Sequence, residues 1–267
     1  MRWFWIIFFM FWPAVGILAC FFAPEMNWWF PGESGSPLGK QIDDLFYLIL
    51  WIVTAVFIGV QIALGYVLWK NSQPDQEKAE FTHGSHHLEV IWTIVPAGIL
   101  LFIALYQMEV WAQYRVVSNF PEAAMKAPVA EVTARQFEWR IRYPEPGRTL
   151  KTSPEKHDLY SVNELLVPAG RPVMIYLRTE DVQHSFFVPR LRVKQDAVPG
   201  QIIPVWFEVI EPGEYELLCA ELCGWGHYKM KARVVALPEH EYEAAIEALE
   251  KEQAFDGTAP EGDSEDE

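Results

Sequence analysis

The chain has 267 residues, about half of them apolar, and a formal net charge of −15. That length accommodates one soluble domain of ordinary size and a membrane portion besides. Residues 239–267 hold twelve carboxylates against one lysine, net −11, which leaves −4 for the rest; the charge belongs to one end, and no basic patch points to nucleic acid.

Three apolar runs open the chain: Trp3 to Ala23, Leu45 to Trp69 and Val90 to Trp111. Each comes close to the ~20 residues that cross a bilayer as a helix. The first, "MRWFWIIFFMFWPAVGILACFFAP", has two readings over residues 1–24. As a signal segment, its "ILAC" passes for a lipoprotein cleavage sequence that makes Cys20 the lipidated end. As an uncleaved span, it has the advantage of an apolar stretch that continues past Cys20 to spanning length. A polar linker is expected over 25–42. A transmembrane helical hairpin follows over 43–113, joined by the polar loop "KNSQPDQEKAEFTHGSHHLE". Tryptophans and tyrosines near several ends serve as interfacial anchors, and Pro96 is tolerable inside a membrane helix.

From about Ala127 the pattern changes to short β-rich segments punctuated by Pro and Gly, among them "VAEVTARQFEWRIRYP", "IIPVWFEV" and "KARVVAL". Strands at such spacing predict an all-β sandwich or barrel over 118–238. "PEHEYEAAIEALEKEQ" then reads as an amphipathic helix, and 239–267 as that helix followed by an acidic, disordered tail.

The densest chemistry lies in "CAELCGWGHYKM", Cys219 to Met230, which holds two of the three cysteines, a histidine and a methionine. A mononuclear electron-transfer copper site uses one Cys, two His and a weak axial Met. Cys223, His227 and Met230 supply three of these, and His184 in "TEDVQHSFFVP", between two predicted strands, is the natural fourth. Cys219 is then left over. Two thiolates can instead bridge two copper ions, each ion taking one histidine, with Met230 and a loop carbonyl in the weaker positions. A Cys219–Cys223 disulfide is chemically plausible outside the cytoplasm, but it explains neither His227 nor Met230. Zinc accepts two Cys and two His and has little use for a thioether.

At these residues the sequence resembles subunit II of the haem-copper cytochrome c oxidases. The matching phrases are "LEVIWTIVPA", "DVQHSFFVPRLRVKQDAVPG" and "CAELCGWGHYKM", and the likeness covers roughly residues 40 to 250. It implies a membrane α plus all-β protein: a transmembrane hairpin, with or without the extra N-terminal span, followed by a cupredoxin-like β-sandwich on the periplasmic or extracellular side. It implies a binuclear copper (CuA) centre held by His184, Cys219, Cys223, His227, Met230 and the backbone carbonyl of Glu221. The Glu221 side chain would reach a magnesium or manganese ion shared with subunit I. Glu89, in "LEVIW", falls where the family has the entrance to a proton pathway into subunit I.

The implied function is to accept electrons from cytochrome c and pass them to haem in subunit I, for reduction of oxygen coupled to proton translocation. Subunit III is a further implied partner. One phrase departs from the family pattern. Where the family carries an aromatic run whose first Trp is the electron-entry residue, "RQFEWRIRYP" has Phe137, with Trp139 two residues on. Strand alternation places the two on one face, with Phe137 expected as the donor contact and Trp139 as core. Gln201 likewise stands where an Arg is common. Two other readings are a quinol-oxidase subunit, which typically lacks the copper ligands present here, and a copper module of another class, either a nitrous-oxide-reductase-like electron-transfer domain or a membrane-anchored copper carrier. The hairpin with "LEVIWTIVPA" argues against the latter class, because a carrier needs no such docking surface. No C-x-x-C-H haem motif occurs, so the donor is expected to be a separate protein.

Overall fold

The computed structural model describes residues 2–71, 81 and 83–255. The acidic tail beyond 255 and most of the polar loop at 72–82 therefore lie outside the described residues. The chain divides into two units, one of residues 1–32 and 43–109, the other of residues 33–42 and 110–267.

The first unit is built on three helices, α1 (Arg2–Phe22), α2 (Pro37–Lys70) and α3 (His86–Arg115). All three are long and apolar enough to cross a membrane. Their large apolar side chains, such as Ile62, Leu100 and Leu101, are exposed along the helices, which is tolerable only where the surroundings are lipid. Helical backbone satisfies its own hydrogen bonds, the condition for crossing hydrocarbon. Phe21 of α1 meets Trp51 of α2 with ring centroids 5.6 Å apart, and Trp29 and Phe30 pack against Phe46.

The expected linker over 25–42 needs correction at its end, because α2 begins at Pro37. Ser36 caps that helix: its Oγ accepts from the Gly39 N–H at 2.8 Å and donates to the Leu191 carbonyl at 2.9 Å. A Ser at the cap with Pro in the first turn is a strong helix start. Hydropathy alone passed over it because the opening turns carry Lys40, Gln41, Asp43 and Asp44.

The second unit is a two-sheet sandwich. Its strands are β1 (Ala130–Arg135), β2 (Glu138–Tyr143), β3 (Leu159–Val162), β4 (Glu164–Pro168), β5 (Pro172–Thr179), β6 (His184–Val188), β7 (Val193–Ala197), β8 (Ile203–Glu208), β9 (Gly213–Cys219) and β10 (Lys231–Leu237). One sheet runs in the order β3-β2-β1-β5-β8, the other β4-β10-β9-β6-β7. Pairing is antiparallel except between β1 and β5 and between β4 and β10. Alternate residues face inward. Trp139, Ile141, Ile175 and Leu177 from the first sheet share one buried core with Leu165, Val167, Phe186, Leu217 and Val234 from the second.

On the first sheet, Arg142 of β2 is buried between two carboxylates. It bonds Glu131 of β1 at 3.0 Å and Asp158 at 2.6 Å, so its charge is matched on both sides. After the sandwich comes α5 (Glu239–Phe255), whose Tyr242, Ile246 and Leu249 pack on the core. Arg171 grips Glu239 through two bonds of 2.8 and 3.0 Å. Further along α5, the Gln253 amide accepts from the Tyr160 N–H at 3.3 Å and donates to the Tyr160 carbonyl at 3.1 Å, on edge strand β3.

Candidate metal centre

The centre forms where three neighbouring strands of the second sheet meet. β9 ends at Cys219 and β10 begins at Lys231, and the antiparallel register that sets Leu218 opposite Lys231 leaves residues 219–230 as the connecting loop. The Cys219 N–H donates to the Met230 carbonyl at 3.2 Å and closes that loop at its base. On the other side β6 pairs Phe186 with Cys219. His184, two residues before Phe186, lies on the same inward face and is fully buried.

Strand pairing thus brings together side chains far apart in sequence. The Cys219 and Cys223 sulfurs are 3.9 Å apart; His184 Nδ1 lies 3.8 Å from Cys219 Sγ, and His227 Nδ1 lies 3.6 Å from Cys223 Sγ. Met230 Sδ stands 3.9 Å from Cys223 Sγ, while the Glu221 carbonyl is 3.2 Å from Cys219 Sγ. Each sulfur therefore has one imidazole and one weaker donor of its own. The cysteines are free, their separation nearly twice the ~2.05 Å of a disulfide. Two sulfurs each about 2.3 Å from a shared ion at a tetrahedral angle lie ~3.8 Å apart, so the donor set fits a shared metal. Two thiolates, two imidazoles and a thioether are the soft ligands that copper prefers.

A buried ligand must be held by something. Asp181 Oδ1 takes His184 Nε2 at 2.8 Å, turning Nδ1 toward the sulfurs. Asp181 also accepts from the backbone N–H groups of Gln136 and Val182, each at 2.7 Å. Gln136, in the turn between β1 and β2, extends its Nε2 to the Cys223 carbonyl at 2.6 Å. Such outer contacts fix the orientation of metal ligands. Sequence reasoning missed both residues; the one signal for Asp181 was an acid three positions before a ligand histidine.

The electrostatics follow from these contacts. Burial opposes a charged Cys219, but hydrogen bonding from His184 and the loop outweighs it and brings the thiol down to about 6. Burial, reinforced by the negative charge on Cys219, pushes Cys223 up to about 12. Burial disfavours a charged His184, yet its bonds to Cys219 and Asp181 raise its pKa overall. Asp181 is driven up by burial and further down by His184 and the two backbone donors, settling at about 2.

The loop lies on the β1–β2 turn. Gly224 has φ of +133°, open to glycine and strained for other residues. A Cβ at Gly226 would stand 2.5 Å from Phe137 Cδ2, so only glycine permits the ring to pack there. Phe137 is half-buried in that turn, before β2 begins at Glu138, so the alternation expected for 137 and 139 does not extend to it. Trp139 is fully buried, its ring centroid 6.4 Å from that of His184, and it presents no surface to a donor. Glu221 is half-buried in the loop, and Glu89 is exposed in the first turn of α3.

Comparison with known proteins yields two matches that tile most of the chain. Residues 24–110 match the cytochrome c oxidase subunit II transmembrane domain, and residues 142–237 match the cytochrome c oxidase subunit II periplasmic domain. The alternative cytochrome c oxidase subunit 2 of Bradyrhizobium diazoefficiens is 30% identical over 255 residues, covering 88% of each chain. Cytochrome c oxidase subunit 2 of Cereibacter sphaeroides is 33% identical over 242 residues, covering 80% of this chain and 78% of that one. Among solved structures, the periplasmic domain of subunit II of the cytochrome oxidase of Bradyrhizobium japonicum aligns at 24% identity with a TM-score of 0.41, covering 47% of this chain and 94% of that one.

Proposed function

Because this chain belongs to the cytochrome c oxidase subunit II family, we propose that its loop Cys219–Met230, with His184, is the CuA electron-entry centre of the oxidase. The protein is an integral membrane subunit of a cytochrome c oxidase. The proposed ligands of a binuclear copper are His184, Cys219, Cys223, His227, Met230 and the Glu221 carbonyl. One observation carries this reading: two sulfurs 3.9 Å apart, each with its own imidazole within 3.8 Å. A one-copper site has no use for the second thiolate.

Bound there, copper supplies reversible one-electron chemistry between cytochrome c and haem in subunit I. The chain's part is to hold the donors still. β6, β9 and β10 fix the ligand positions, Asp181 fixes the His184 tautomer, and the buried core around Met230 keeps water from the sulfurs. Small rearrangement on electron transfer follows from that rigidity. Subunits I and III are the proposed partners, with the Glu221 side chain contributing to a magnesium or manganese site shared with subunit I. Glu89 is the proposed entrance of a proton path into subunit I. Phe137 stands at the entry position and belongs to the proposed electron path.

Electron paramagnetic resonance of the copper-loaded chain tests the centre. One unpaired electron shared over two equivalent copper nuclei is expected. A spectrum of one isolated copper at full loading overturns the binuclear assignment.

A further inference from the structure

Phe137 is a poor contact for a large protein donor, since it is half-buried beneath Gly224 and Gly226. The ring above it is Trp225. Its side chain packs edge-on against Phe137 with centroids 5.2 Å apart, and the residue is 81% exposed. It sits midway between the proposed ligands Cys223 and His227, two residues from each. The same loop exposes Leu222 at 77% and Tyr228 at 69%. Three large apolar side chains held in solvent by one short loop are costly unless something covers them.

We propose that Trp225 is the residue through which electrons enter, with Leu222 and Tyr228 forming the apolar contact around it and Phe137 serving as the ring that supports it. The occupant is the haem edge of a separate cytochrome c. Three features select that occupant. The patch lies on the loop that carries the proposed copper ligands, where electron tunnelling, which falls steeply with distance, has its shortest route. Its most exposed side chain is a Trp, the residue most often dominant at protein contacts. The chain has no haem-attachment motif of its own. The step is a single electron passing from ferrous haem to oxidised copper, leaving ferric haem and reduced copper, with no atom transferred.

This inference rests on the CuA reading, and the experiment separates the two. The assembled oxidase is compared with its Trp225→Ala and Phe137→Ala variants for copper content, the resonance spectrum, kcat/KM with reduced cytochrome c, and copper reduction by a small inorganic reductant. Trp225→Ala is expected to lower kcat/KM for cytochrome c by roughly tenfold or more, with the spectrum and the rate with the small reductant unchanged. Phe137→Ala is expected to have the smaller effect. If the alanine variant loses copper, Trp225→Leu, which keeps the bulk and removes the π-system, carries the same comparison. The inference is overturned if the Trp225 variants stay within about twofold of the parent, or if Phe137→Ala proves the more damaging. It is equally overturned if Trp225→Ala weakens assembly with other subunits while the assembled enzyme oxidises cytochrome c normally, because another subunit then covers the patch. Failure of the CuA reading shows earlier and differently, as an unmodified oxidase without the shared-copper spectrum.

Discussion

Gln136 braces the metal loop and Asp181 braces the ligand His184 on β6, and the backbone of the first is bonded to the carboxylate of the second. Removing either should loosen a ligand without removing it. Gln136→Ala and Asp181→Asn are each expected to weaken copper binding by about 10- to 100-fold, the usual cost of losing an outer contact. Competition with a chelator of known affinity measures this; unchanged affinity in both would mean that the strands alone set the ligands. Ligand changes should differ in kind. Cys219→Ser is expected to abolish sharing of the electron, whereas Met230→Leu should keep both coppers and shift the reduction potential, since a weak axial donor mainly tunes it. Spectra and potentiometry distinguish the two. Five of the proposed donors were legible because they fall within twelve residues of sequence. Gln136 and Asp181 were not, because their role exists only once the β1–β2 turn has folded against both the segment before β6 and the metal loop, 45 and 87 residues further on.

Helix α3 carries Glu89 in its first turn. If that carboxylate feeds a proton path, Glu89→Gln should slow oxygen consumption by the assembled oxidase while leaving copper reduction by cytochrome c as fast as before; turnover unchanged across pH would make it an ordinary interfacial acid. α5 offers a test of docking. The bond from Arg171 holds the Glu239 carboxyl below its ordinary 4.5 against the opposing effect of burial. A depressed folded-state pKa gives stability that is fully present above about pH 4.5 and is lost as pH falls through the lower folded value. With both side chains near half exposed, the effect should stay under ~1 kcal/mol. Thermal midpoints of the parent and Arg171→Ala should therefore differ slightly at neutral pH and converge in acid; parallel profiles would contradict it. Among the elements, strands with clear alternation, such as β10, announced themselves. The start of α2 did not, because cap chemistry rather than hydropathy sets it.

The sandwich owes its core to Trp139, Phe186, Leu217 and their neighbours, not to the metal. The copper-free chain is therefore expected to keep its β-structure, unlike small domains that fold only on binding a metal. Copper should raise the thermal midpoint by mass action alone. Circular dichroism with and without chelator decides this: loss of the β signal on stripping copper would show that the metal is part of the fold. At this scale the sequence carried the division into apolar helices and β-rich segments, but not the strand order, since the parallel pairs β1–β5 and β4–β10 join segments that no local pattern links. One small contact reaches further than its size suggests. Gln253 meets both backbone groups of Tyr160, as a neighbouring strand would, but with a single side chain. An open sheet edge invites strands from other molecules and is a common start of aggregation. By occupying that position on β3, α5 helps keep a subunit crowded into a membrane surface from sticking to its own kind.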